Sequence, residues 1–270
     1  MSTSASHAKR QRAPSLGVWA AVGLLLGTLA TLLAFAPAQW LADGVQRASN
    51  EQVQLRNARG TVWQGTAQLV LSGGLGSNDS VALPGVLEWR LRPQWGPLQL
   101  SLQAACCMSH ALRVDLSPVG WGGVRAQLSD HTSAWPSSLL AGLGTPWNTL
   151  QLEGQLALSL MKFSIGRVHN TVALDGQVQL SATQVSSRMS TLRPMGSYRV
   201  TLNGGPSPTV QLETIEGSLE LTGNGTWVGQ RLQFEGVATA KPDRIEALSN
   251  LLNIIGRRDG VRSLIKVSSL

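Results

Sequence analysis

Chemistry-bearing side chains are scarce in this chain of 270 residues, which holds two Cys and four His. The Cys pair, Cys106 and Cys107, is adjacent, which excludes a disulfide-stapled scaffold and a multi-Cys zinc site. Charged residues make up 14%, against roughly 25% in ordinary soluble domains. Aromatic usage is thin apart from Trp: one Tyr and three Phe stand beside nine Trp. Sequences of the H-E-x-x-H, C-x-x-C and G-x-S-x-G type are absent, and so is a P-loop. Gly74 and Gly76 begin a G-x-G, but Asp79 occupies the place of the third Gly of a dinucleotide loop. Gly223, Asn224 and Gly225 read as a turn between strands, with no helix behind them to receive a phosphate. His110, His131 and His169 are far apart in the sequence, lack metal-ligand spacing and read as surface or hydrogen-bonded side chains and not ligands. The sequence therefore nominates no catalytic, cofactor-binding or metal-ligating residue.

What the chain does contain is apolar residues, at 43%, and 29 Gly. The longest uncharged run spans residues 16–36, preceded by Lys9, Arg10 and Arg12 and followed by Pro37. At about 1.5 Å per residue such a helix matches a bilayer core of ~30 Å. A cleaved signal peptide is the alternative, since Ala36 and Ala38 have A-x-A spacing, but a signal core normally covers about 7–15 residues. The length favours a retained anchor. Trp19 and Trp40 bracket the run at positions suited to the two interfaces, and the basic leader places the N-terminus in the cytoplasm. The expected organisation is a basic leader (1–15), a transmembrane helix (16–36), a linker (37–50) and an exported domain (51–270) in the periplasm. Without the three leader cations the formal charge of +7 falls to +4, and no Lys/Arg stripe remains, so nucleic acid is not an expected partner.

From about residue 51 the pattern is period two. Val53 and Leu55, then Ala67, Leu69 and Leu71, then Leu98, Leu100 and Leu102 alternate with polar residues, and similar runs follow at 150–160, 172–180, 198–202, 210–212 and 219–221. Alternation punctuated by Gly, Pro, Asn and Ser predicts a mainly β, antiparallel domain, closed as a sandwich or curved as a single sheet. An echo begins at Glu153-Gly154, Asp175-Gly176, Glu216-Gly217 and Glu235-Gly236, and reads as Gly accepting a bulge or turn where strands start. Pro242 and Asp243, followed by Ile245, Leu248, Leu252 and Ile255 and stopped by Gly256, predict one short C-terminal helix before a last strand over 261–267. Residues 130–148 read as an irregular crossover. Cys106 and Cys107 fall in a strand-like run over 98–108, where neighbours point to opposite faces, so two reduced or intermolecularly reactive thiols are expected, with a vicinal disulfide as the alternative that an oxidising compartment would allow. Trp63, Trp89, Trp95, Trp121, Trp135, Trp147 and Trp227 read as packing residues, with a sticky surface as the alternative.

The most distinctive stretch is Gly60-Thr61-Val62-Trp63-Gln64-Gly65-Thr66-Ala67. It resembles the G-T-[VL]-W-x-G-x-A signature of the type II secretion system protein N family, also called GspN or general secretion pathway protein N. Leu87-Glu88-Trp89-Arg90-Leu91-Arg92-Pro93 is similar to the family's tryptophan–arginine–proline strand, and residues 234–238 and 251–260 resemble its C-terminal segment. The resemblance implies a non-enzymatic, single-pass inner-membrane accessory component of the machine that exports folded proteins from the periplasm across the outer membrane. Its partners would be other secretion subunits and the inner membrane, with no cofactor and no small-molecule substrate. Gly60, Thr61, Trp63, Gly65, Trp89, Arg90, Arg92 and Pro93 would be structural or partner-binding residues. A second reading is an envelope lipid-handling protein with an apolar β groove, as in the AsmA-like family.

Overall fold

The computed structural model describes residues 16–120, 122–168, 171–229 and 231–268. The chain divides into two compact units, residues 1–36 and 37–270. The described part of the first unit is helix α1 (Leu16–Ala34), long and apolar enough to cross a membrane by length and composition. Its two hydroxyls do not interrupt it, because Thr28 and Thr31 each donate to the carbonyl four residues back, at 2.8 Å.

In the second unit residues 37–50, expected as a linker, hold helix α2 (Ala38–Ala48), with Ala38 and Ala42 on its buried side. Strands β1 (Val53–Gly60), β2 (Gln64–Ser72), β3 (Ser80–Ala82), β4 (Leu87–Pro93), β5 (Leu98–Ala104), β6 (Leu112–Val119) and β7 (Gly123–Leu128) follow. Next come β8 (His131–Pro136), a 3-10 helix (Ser137–Leu143) and the single turn α3 (Trp147–Leu150), so the expected irregular crossover begins with a strand. The longest strands, β9 (Glu153–Val168) and β10 (Thr171–Ser186), lead into β11 (Gly196–Asn203), β12 (Thr209–Gly217), β13 (Leu219–Val228) and β14 (Arg231–Ala240). A 3-10 turn (Pro242–Arg244) opens helix α4 (Ile245–Ile255), and β15 (Arg257–Asp259) and β16 (Arg262–Ser268) end the described chain.

All sixteen described strands belong to one antiparallel sheet, in the order β1-β2-β4-β5-β6-β7-β9-β10-β11-β12-β13-β14-β16-β15, with β3 beside β2 and β8 beside β9. Each strand pairs mostly with its sequence neighbour, so the connections are local. The ends β1 and β15 do not pair with each other, which leaves the sheet open. Of the two expected topologies, the single sheet is the one formed. Of the echoed glycines expected to mark strand entries, Gly154 lies at the start of β9 and Gly176 inside β10, with φ of +138° and +84° beside register shifts of the β9–β10 ladder, so a bulge forms at each. Gly217 instead ends β12, with φ of +140°, and Gly236 lies within β14, so neither marks a strand entry. Gly223 and Gly225, by contrast, lie inside β13 and not in a turn. A residue without a side chain is needed there because the Phe234 ring of β14 lies against both positions.

One sheet has one apolar face, and it is covered in three places. α2 seals Ala67 and Trp89, while the 3-10 helix brings Leu139 onto Leu83, Ala104 and Cys107. The largest cluster lies under α4, where Leu248, Leu251 and Leu252 meet Tyr198, Leu219 and Ala238. Residues 187–195 are tied down there by buried hydroxyls: Ser187 donates to the Leu150 carbonyl at 2.6 Å and Ser190 to that of Ala247 at 3.0 Å. Tyr198 donates to the Leu219 carbonyl at 3.1 Å, and burial pushes its pKa up. Leu252 is fully buried against the sheet. Replacing it with Ala in the full chain is expected to remove about 2–5 kcal/mol of stability, read from denaturant unfolding.

Candidate functional site

The signature residues converge on one hairpin. β1 ends at Gly60, and β2 begins at Gln64 after a turn closed by the Thr61 amide donating to the Gln64 carbonyl at 2.8 Å. The Gln64 amide donates in turn to the Thr61 hydroxyl at 3.2 Å. Gly60 has φ of +92°, a left-handed conformation that side chains resist. Trp89 of β4 lies directly opposite Gly65 of β2. A Cβ on Gly65 would collide with the Trp89 indole and with the Arg59 carbonyl, so only Gly lets the ring lie down on the strand. Trp89 is 2% exposed, and its indole N–H donates to the Val62 carbonyl at 3.1 Å. A buried indole without that acceptor would cost about 1–3 kcal/mol. The Leu91 amide closes the other side of the turn by donating to the Trp63 carbonyl at 2.6 Å. Below the indole sit Ala38, Ala67, Leu41 and Leu55, so the signature fastens α2 to the first three neighbouring strands of the sheet.

Arg90 and Arg92 have the opposite setting. They alternate with Trp89 and Leu91, lie exposed on the polar face, and form no ion pair with a described residue. Pro93, also exposed, ends the strand. Strand β4 thus presents Arg90 and Arg92 outward, while its Trp89 and the facing Gly65 of β2 lie inward. Of the other Trp residues, Trp135 donates to the Ser133 hydroxyl at 2.8 Å, whereas Trp95 is fully exposed. Trp121 lies outside the described residues.

One further expectation is corrected just before β8. Strand β5 stops at Ala104, and residues 105–107 form a turn in which the Cys107 and Met108 amides both donate to the Ala104 carbonyl. There Cys106 and Cys107 are joined as a vicinal disulfide, not held as two thiols. The opposite-face argument failed because it presumed a strand, and the pair sits in a turn. Cys107 is buried in the cluster of Leu83 and Leu139, while Cys106 is exposed.

His110 and His131, expected as surface or hydrogen-bonded side chains, lie within hydrogen-bond distance of each other. A bridge between Met108 and Ser133 brings the two segments together. The His131 Nδ1 lies 3.2 Å from the His110 Nε2, with the rings edge to face. His110 Nδ1 lies 3.0 Å from the Ser109 hydroxyl, while His131 Nε2 is buried without a partner. Burial, and then the neighbouring His110 charge, lower the His131 pKa. No group of three or more His, Cys, Asp or Glu among the described residues could hold a metal ion. His169 lies outside the described residues.

Fold and site together define a class: a long open β-sheet with a fastened N-terminal hairpin. Residues 51–264 match the family described as type II secretion system (T2SS), protein N, and the chain belongs to that family. Neither the curated proteins nor the solved structures contain a match to this chain.

Two outcomes follow from the geometry. Gly65→Ala is expected to cost about 1–3 kcal/mol in denaturant unfolding, because backbone and ring must both yield, while Arg90→Ala stays within about 0.5 kcal/mol. For His131 the folded pKa lies below the unfolded value of 6.5. The unfolded chain therefore binds the extra proton first, so stability is full above pH 6.5 and falls as pH drops toward the depressed value. Thermal midpoints measured from about pH 7.5 to about 5.5 should decline, and His131→Gln should flatten that slope.

Proposed function

We propose that the chain is a non-enzymatic accessory component of the type II secretion system, anchored in the inner membrane and acting in assembly or partner binding. The observation that carries this is the family match over residues 51–264 together with the hairpin that the signature builds. Membership in the family makes it a secretion component, which implies contact with other subunits. Helix α1 supplies the anchor, and the basic leader sets the N-terminus in the cytoplasm and residues 51–270 in the periplasm. Trp89, Gly60 and Gly65 hold the hairpin in shape. Arg90 and Arg92 are then the outward surface, cationic and without an ion pair to a described residue, suited to an acidic patch on a neighbouring subunit, while Pro93 ends the strand on its other face.

Photoreactive residues at Gln64 and Gln94, which flank this surface in the sequence, test the reading in native membranes. Enrichment of secretion-machine subunits in the cross-linked products is expected. Replacing Arg90 and Arg92 together with Glu should lower that yield about tenfold or more, as loss of matched charge does at protein interfaces. Products containing no such subunit would overturn the partner-binding role.

A further inference from the structure

The apolar face of the sheet extends well beyond the parts that the helices cover. Directly opposed residues of an antiparallel pair share a face. The register therefore lines up Pro93, Leu98, Leu116, Ala126, Ile165 and Leu174 across six strands from β4 to β10. On the same side of β10, Val178 continues into a second row with Leu202, Val210, Gly225, Phe234 and Val267, reaching β16. None of these twelve residues belongs to a buried cluster. Ile165 and Val267 are 40% and 51% exposed, and the others, apart from exposed Pro93 and buried Gly225, are half-buried. At a strand spacing of about 4.8 Å each row is ~24 Å long.

Neither row contains a charged or hydrogen-bonding side chain. The charges alternate onto the opposite face, where Arg92, Asp115, Arg199 and Glu213 lie. At the β12–β16 end the floor drops, because Gly223, Gly225 and Gly236 surround the Phe234 ring. Beside the other row, Arg167 of β9 pairs with Val124 on one side and Val172 on the other, both more than half exposed. It is a cation at the margin of an apolar face.

We propose that this face binds the acyl chains of a phospholipid, with Arg167 beside the phosphate. The choice of occupant rests on hydrogen-bond accounting. A peptide laid on these rows would bury amide groups, at a cost of about 1–3 kcal/mol for each one left unpaired. The face offers them nothing, because its backbone groups are used in the ladder and its side chains are apolar. An acyl chain has no such groups to satisfy, and each buried methylene contributes about 0.8 kcal/mol. The inference is independent of the secretion reading and would stand or fall without it.

The test uses the full chain reconstituted in vesicles of phosphatidylethanolamine and phosphatidylglycerol, doped with phosphatidylglycerol carrying a diazirine in its acyl chain. Labelled residues are mapped by mass spectrometry after irradiation, and α1 serves as the internal reference for a working probe. Label is expected on both rows, with about tenfold less on the polar-face residues Gln99, Asp115 and Arg199, a difference of about 1.4 kcal/mol in occupancy. Leu202→Glu should lower the row label about tenfold, while Thr201→Glu, on the other face of the same strand, leaves it unchanged. Arg167→Glu should lower labelling by this anionic probe at Val124 and Val172. Should Leu202→Glu fail to fold, the map of the unaltered chain still decides. Label confined to α1, as would follow if a second copy or a peptide covered the rows, overturns the proposal, and so does equal label on the two faces.

Discussion

A single sheet satisfies its own backbone but not its own side chains. That asymmetry governs this protein. The antiparallel ladder from β1 to β15 pairs the amides of the strands it joins, yet it collects the alternating Leu, Val and Ile residues on one side with no second sheet to cover them. In a sandwich each sheet would shield the other. Here shielding comes from α2, from the 3-10 helix with α3, and from α4, each over a limited area. The stability of the unit therefore concentrates at three clusters. The largest joins chain segments far apart in sequence, with Leu150, Tyr198 and Leu252 in one place.

The hairpin signature is a smaller instance of the same problem. β1, β2 and β4 stand at one end of the sheet, where an edge strand and a short helix must be held without a deep core. The solution is a single large ring, Trp89, laid over a strand with no side chain at Gly65 and hydrogen-bonded to the turn carbonyl of Val62. The motif types Gly, Trp and Thr are accounted for by this geometry before any partner is invoked. Arg90 and Arg92 are not, since they contribute nothing to the cluster, and this separates the fastening residues from the surface they present.

Much of the architecture was legible in the sequence because its cause is local. Alternation of Val53, Leu55, Leu98, Leu100 and Leu102 with polar residues is itself the description of a half-buried strand. The spacing of Ile245, Leu248 and Leu252, closed by Gly256, likewise describes α4. Gly154 and Gly176 announced bulges because a left-handed backbone is a property of the residue. Reasoning failed where the cause was another segment. Gly223 and Gly225 resemble turn glycines until Phe234, on the next strand, is placed over them. His110 and His131 looked unrelated because 21 positions separate them, and only the bridge at Met108 and Ser133 sets one ring against the other. Cys106 and Cys107 were read on a strand that ends two residues earlier.

The sequence by itself determined that this chain has an apolar N-terminal helix, a meander of β-strands, a C-terminal helix and the signature of its family. Each of these is written in residue type and period, which depend on near neighbours. The tertiary structure alone decided that the strands form one open sheet, that Trp89 rests on Gly65, and that an apolar surface runs uncovered from β4 to β16. Those outcomes depend on which strands pair and in what register. Register is a relation between distant residues that alternation permits in several forms and packing selects in one.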